Sequence, residues 1–164
     1  MVENLEKIFD YKKWSENRLI EAIRKVDKSD KILLFIRQQL NHMIIVEELF
    51  SARIQGNRIP HSNTNSDTLP ELTELENRLN QSSLWYIQNL KILSTEQTIK
   101  NIDFVFVDGL NGRMSILEIL FHIINHGTYH RSAIGHRLEQ EGYTRPADTF
   151  TMYLHHTDIA RRHR

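Results

Sequence analysis

Ser115-Ile116-Leu117-Glu118-Ile119-Leu120-Phe121-His122-Ile123-Ile124-Asn125-His126-Gly127-Thr128-Tyr129-His130-Arg131 is the stretch from which the rest of the chain is read. Ser115 followed three residues later by Glu118 is a capping box, in which each side chain satisfies the other's backbone N–H. The apolar residues behind it recur at helical spacing, so the stretch opens a helix that runs to about Glu141, where Gly142 stops it. His122, His126 and His130 follow one another at intervals of four. Side chains at that interval stand one turn apart and about 40° apart in azimuth, so their imidazoles can converge on a single ion. With about 100° per residue and His130 as origin, Ile119 and Ile123 fall within about 20°, Ile116 and Ile134 at about 40°, and Leu120 and Leu138 at about 80° on the same side. His126 lies about 40° off on the other flank and His122 about 80° off. His126 and His130 therefore border the buried stripe, while His122 reaches its edge or faces outward.

Working backwards, Asn101 to Met114 changes character. Ile102 to Val107 is β-branched and aromatic, and Asp108-Gly109 and Asn111-Gly112 are turn dipeptides. A short strand or hairpin is expected there. Upstream, a third helix ends near Leu93 and carries Leu72, Leu75, Leu79, Trp85, Tyr86 and Leu90. Thr68-Leu69-Pro70-Glu71 reads as its capping box, with Thr68 as N-cap and Glu71 reaching back. Residues Gly56 to Asp67 (GNRIPHSNTNSD) are poor in apolar side chains and read as an exposed crossover. A second helix from Asp30 or Lys31 to Gly56 carries Leu33, Phe35, Ile36, Leu40, Ile44, Ile45 and Leu49. A first, from about Glu3 to Val26, turns Leu5, Ile8, Phe9, Leu19, Ile20, Ile23 and Val26 inward. After Tyr143 the tail is irregular or holds a short helical turn, and ends in basic residues. The expected fold is all-α, a four-helix bundle with a long crossover between helices two and three and a short β insertion before helix four.

Composition narrows the functional classes. The 164 residues suit one domain spanning 1–164, with 40% hydrophobic and 26% charged residues. There is no cysteine, which removes disulfides, thiolate ligands and cysteine nucleophiles. Lys+Arg and Asp+Glu both number 21, and this balance argues against a nucleic-acid partner. No apolar run is long enough to span a membrane, and Met1-Val2-Glu3-Asn4 lacks a basic n-region, so the expected location is cytoplasmic.

Histidine is the distinctive residue, with nine copies. A buried unsatisfied imidazole costs about 1–3 kcal/mol, so two at i, i+4 on a core face call for a partner. His42 shares a helical face with Phe35, Val46 and Leu49 and can meet them from helix two. Nitrogen donors suit zinc, nickel, iron or copper rather than magnesium or calcium. Three protein ligands leave a position open to water or substrate. His61 in the linker reads as solvated, and His136 as outward-facing. His155, His156 and His163 are surface histidines of the tail. Glu118 either orients His122 or only closes the capping box. Glu47 and Glu48 are either base and support or solvated carboxylates. Tyr129 and Arg131 either bind an anionic substrate or, for Arg131, make a structural ion pair. Tyr11 and Trp14 read as core or interface aromatics.

Three stretches resemble the DinB-like family of metal-binding four-helix bundles. They are Tyr11-Lys12-Lys13-Trp14-Ser15-Glu16-Asn17-Arg18-Leu19, then Leu40-Asn41-His42 with Glu47 or Glu48, and His122-x-x-Asn125-His126-x-Thr128-x-His130-Arg131. The last is close to the family's fourth-helix pattern. The resemblance places the three metal ligands on His42, His126 and His130, the histidines that helix geometry selects on its own. The family commonly continues with Gly-Gln where Ser132-Ala133 stands here, so a substrate contact from that turn does not carry over. The resemblance implies a divalent transition metal (zinc or nickel foremost) and a homodimer. It also implies a metal-dependent transferase or hydrolase activity, using a low-molecular-weight thiol such as bacillithiol or mycothiol, or water. The alternative is a metal-dependent stress-response or binding module without turnover.

Overall fold

The computed structural model describes residues 2–27 and 29–161. Met1 of the opening stretch, Lys28, and Arg162, His163 and Arg164 of the basic tail lie outside the described residues. Four long helices, α1 (Val2–Ile23), α2 (Ile32–Gln55), α3 (Leu72–Leu90) and α5 (Ile116–Gln140), form the bundle. A short α4 (Thr95–Thr98) and a hairpin of β1 (Asn101–Val105) and β2 (Asn111–Ser115) precede α5. A short α6 (Phe150–Thr157) and a 3-10 turn (Ile159–Arg161) form the tail. The all-α bundle with its β insertion is thus the observed architecture.

The main pairings are α1 with α3 and α5, and α2 with α3 and α5. Sequence neighbours α1 and α2 therefore stand across a diagonal, and α2 and α5 share a seam. Two apolar clusters fill the interior. One joins Leu19, Ile23, Ile36, Leu40, Ile44, Leu75, Leu79, Ile134 and Leu138. The other joins Phe9, Val46, Phe50, Tyr86, Leu90, Ile119 and Ile123. Between the apolar layers lies an ionic one. The Lys12 ammonium, fully buried, stands 2.6 Å from Glu16 and 2.9 Å from Glu47 and donates to Ser83 Oγ at 3.0 Å. Ser82 and Ser83 in turn donate to Glu47 and Glu16, each at 2.5 Å.

Two sequence expectations are corrected here. Thr68 does not cap α3: the helix begins at Leu72, with Glu71 in the N-cap position and no side-chain cap. Pro70 bars the preceding residue from helical dihedrals. Arg37 then captures the segment, donating to the carbonyls of Leu69 at 2.7 Å and Pro70 at 2.8 Å and pairing with Glu71 at 3.0 Å. Nor is Asn111-Gly112 a turn. The hairpin reverses at Asp108-Gly109, where Gly109 has φ +87° and Asp108 Oδ1 accepts from the Leu110 N–H. Gly112 of β2 instead pairs with Phe104 of β1. A Cβ there would lie 2.5 Å from the Phe106 ring and 2.8 Å from the Phe104 ring. Gly112→Ala is therefore expected to lower stability by about 1–3 kcal/mol through overpacking. Denaturant unfolding checks this, and an unchanged midpoint would show that the rings yield without cost.

Candidate metal centre

Backbone geometry brings His42 from α2 and His126 and His130 from α5 together across their shared seam. The His126 and His130 ring centroids are 4.3 Å apart, and those of His42 and His130 are 4.8 Å apart. Their facing atoms are all Nε2: His126 Nε2 lies 3.2 Å from that of His42 and 3.1 Å from that of His130. Two of the three far nitrogens are committed elsewhere. His42 Nδ1 lies 2.9 Å from the Thr64 carbonyl, and His130 Nδ1 lies 2.7 Å from the Gln39 side-chain oxygen. Both partners can only accept, so each Nδ1 carries the proton and each Nε2 presents a lone pair.

This arrangement is electrostatically incomplete. His126 can donate from Nε2 to one neighbour at most, leaving at least one contact in which two lone pairs face each other. His126 Nδ1 is buried without a hydrogen-bond partner. A cation among the three nitrogens removes the repulsion. Nitrogens about 2.0–2.1 Å from a tetrahedral zinc stand roughly 3.3–3.4 Å from one another, close to the spacing found. Among the described residues, this is the group of histidine and acidic side chains that could hold a metal ion, and the donor set fits a transition ion. Burial, reinforced by the neighbouring His130, His42 and His122 rings, lowers the His126 pKa to about 3. Burial and His42 lower that of His130 to about 4. Both rings are neutral at ordinary pH, the state a ligand requires.

His122 stays beside the cluster rather than in it. Its ring stacks on His126 at 5.2 Å and tilts against Phe50 at the same separation. Burial lowers its pKa. Together with His42, His126, Val46, Phe50 and Met114 it lines a cavity of about 310 Å³ between α2, α5 and the hairpin.

The remaining candidates sort by what they touch. Glu118 closes the capping box with Ser115 and does not reach back to His122. Glu47 is 1% exposed and belongs to the ionic layer, where burial raises its pKa. Glu48 pairs with Arg78 and with His61. His61 is thus held at 2.5 Å from a carboxylate rather than solvated, because the crossover folds back over α2. Arg131 is buried and donates from Nε to Asp148 at 2.8 Å, so its structural ion pair is what the fold contains. Tyr129 is 71% exposed and sets its ring edge-on to His130. Tyr11 is a buried aromatic that donates to Asp148 at 2.6 Å and, like Trp14, packs on Tyr153 of α6. His136 faces outward as expected.

Sequence reasoning missed Gln39 and Thr64, the residues that fix the two outer rings. Gln39 lies one turn before His42 on the same face and was open to discovery. Thr64 sits in a crossover without periodicity, where no local pattern announces a carbonyl acceptor.

Over the described residues, no helix is long and apolar enough to cross a membrane. The sequence matches the DinB family over residues 1–163. It is 22% identical, over 163 residues, to Protein DinB of Bacillus subtilis (strain 168), covering 90% of this chain and 92% of that protein. The family match runs the length of the bundle, histidine-bearing helices included: the chain belongs to the DinB family.

Proposed function

We propose that His42, His126 and His130 hold one divalent transition ion, zinc or nickel, and that the protein uses it to activate a thiol or water in a transferase or hydrolase reaction on a small molecule. The observation that carries this reading is the convergence of three Nε2 atoms whose partner nitrogens are committed to acceptors or buried. Such an ion, when bound, supplies Lewis acidity that favours the anionic form of a thiol or water near neutral pH. The chain's own part is positional. Thr64 and Gln39 fix the tautomer and azimuth of two rings, the role that outer hydrogen bonds play around metal ligands generally. Phe50 and His122 wall the adjoining cavity. Three protein ligands leave room for a substrate atom, as in catalytic rather than structural zinc sites. Residues 1–164 acting as one domain and pairing as a homodimer belong to the same reading, and light scattering checks the second.

The test is elemental analysis of protein purified without chelator, alongside His126→Ala. The parent chain should carry close to one ion and the variant a small fraction of that. Equal metal in both would overturn the assignment. Conversion of a thiol-reactive electrophile by the zinc-loaded chain with a low-molecular-weight thiol, abolished in the variant, tests the enzymatic half.

A further inference from the structure

The cavity beside the histidines contains a cation that nothing in the mechanism uses. Arg53, two turns beyond Val46 on α2, is 8% exposed. Its guanidinium carbon lies 4.5 Å from the centroid of Phe104, 5.1 Å from that of Phe50 and 5.8 Å from that of Phe106. Nη2 donates to the Val105 carbonyl at 2.9 Å, and Nε is buried with no hydrogen-bond partner. Among the described residues no carboxylate pairs with it, in contrast to Arg24, Arg37, Arg78, Arg113, Arg131 and Arg137. Burial alone lowers its pKa, with no neighbouring charge contributing. A buried cation without a counter-charge is costly. Stacking on aromatic faces compensates part of that cost.

Arg53 is also the one permanently charged side chain in the lining of this cavity, which is otherwise apolar apart from Thr64 and the imidazoles. At about 310 Å³ it stands at the small end of ligand sites. We infer that this cavity binds a small organic anion, an apolar body bearing a carboxylate, with Arg53 as the anion's partner and Phe50, Phe106 and Met114 against its body. The guanidinium fork matches a carboxylate better than any neutral group, and the apolar lining around it strengthens the pairing. The inference rests on the proposed function only in taking this cavity to serve the histidine cluster; anion binding itself needs no metal.

The experiment titrates 4-phenylbutyrate and its neutral counterpart 4-phenylbutyramide into the full chain, metal-free and zinc-loaded. Occupancy is read from the methionine methyl NMR signals, with Met114 in the cavity and Met152 on α6 as the control. The carboxylate should shift Met114 and leave Met152 in place, binding about tenfold or more tightly than the amide in both forms. Arg53→Met should remove that preference while leaving amide binding as it was, and Arg53→Lys should restore part of it. Equal binding of acid and amide to the parent chain would overturn the inference without any variant, as would an unmoved Met114 signal. A preference that survives Arg53→Met would do the same. If zinc fails to bind, the metal-free arm still decides the role of Arg53, so the two readings fail separately.

Discussion

Lys12→Met should lower the unfolding free energy by about 3–5 kcal/mol, among the largest effects available in this fold. The ammonium it removes is fully buried and faces Glu16 and Glu47 at 2.6 and 2.9 Å. Glu16 keeps Arg131 at 3.9 Å as a second cation, whereas Glu47 is left with Ser82 alone. Burial works against the charged form of Lys12, but Glu16 and Glu47 outweigh it and raise the pKa, so the side chain is charged in the folded state. The double variant Lys12→Met/Glu47→Gln should recover part of the loss, because it removes the stranded charge together with its partner.

The pH dependence has a definite sign. Burial raises the Glu47 carboxyl above its unfolded value of 4.5. A raised carboxyl favours the folded state below the unfolded pKa and loses that contribution as pH rises through the folded one. Without Lys12 the folded pKa rises further, so the deficit of Lys12→Met should be larger at pH 8 than at pH 5. Urea unfolding at the two pH values checks this. A deficit below 1 kcal/mol, or one that grows on acidification, would show that water or rearrangement solvates Glu47.

The second large effect is metal-linked stability. An ion that binds the folded chain and not the unfolded one adds about 4 kcal/mol when its free concentration is about 1,000 times Kd. For a chain of this length that corresponds to a rise in Tm of roughly 10 °C. Saturating zinc should therefore raise Tm by that order, excess chelator should reverse the rise, and His42→Ala should abolish it. His42 is the informative position because it comes from α2, so zinc-dependent stabilisation through it reports the closing of the α2–α5 seam. Equal zinc shifts in the parent and His42→Ala would place the ion elsewhere.

The histidine cluster was legible because its geometry is written in helical periodicity. His126 and His130 share a turn of one helix, and His42 lies on a face whose other members are apolar. The ionic layer was not legible for the opposite reason. Lys12 and Glu16 at i, i+4 have the pattern of an exposed surface pair. Their burial depends on Glu47, 35 residues away, which comes near only when α1 and α2 pack across the bundle. Arg53 was hidden in the same way, since Phe104 and Phe106 reach it from a hairpin whose register is set by tertiary pairing. At α3, Pro70 and Arg37 overrode a local capping pattern that Thr68 and Glu71 present correctly in sequence but not in space.

Arg131 follows His130 by one peptide bond and takes its closest carboxylate from Asp148, a residue of the tail that also accepts from Tyr11 of α1. Cutting the chain anywhere before Asp148 would therefore strip a guanidinium buried in α5 of its closest carboxylate and a tyrosine of α1 of its acceptor, so the tail is expected to behave as a part of the folded unit and not as an appendage.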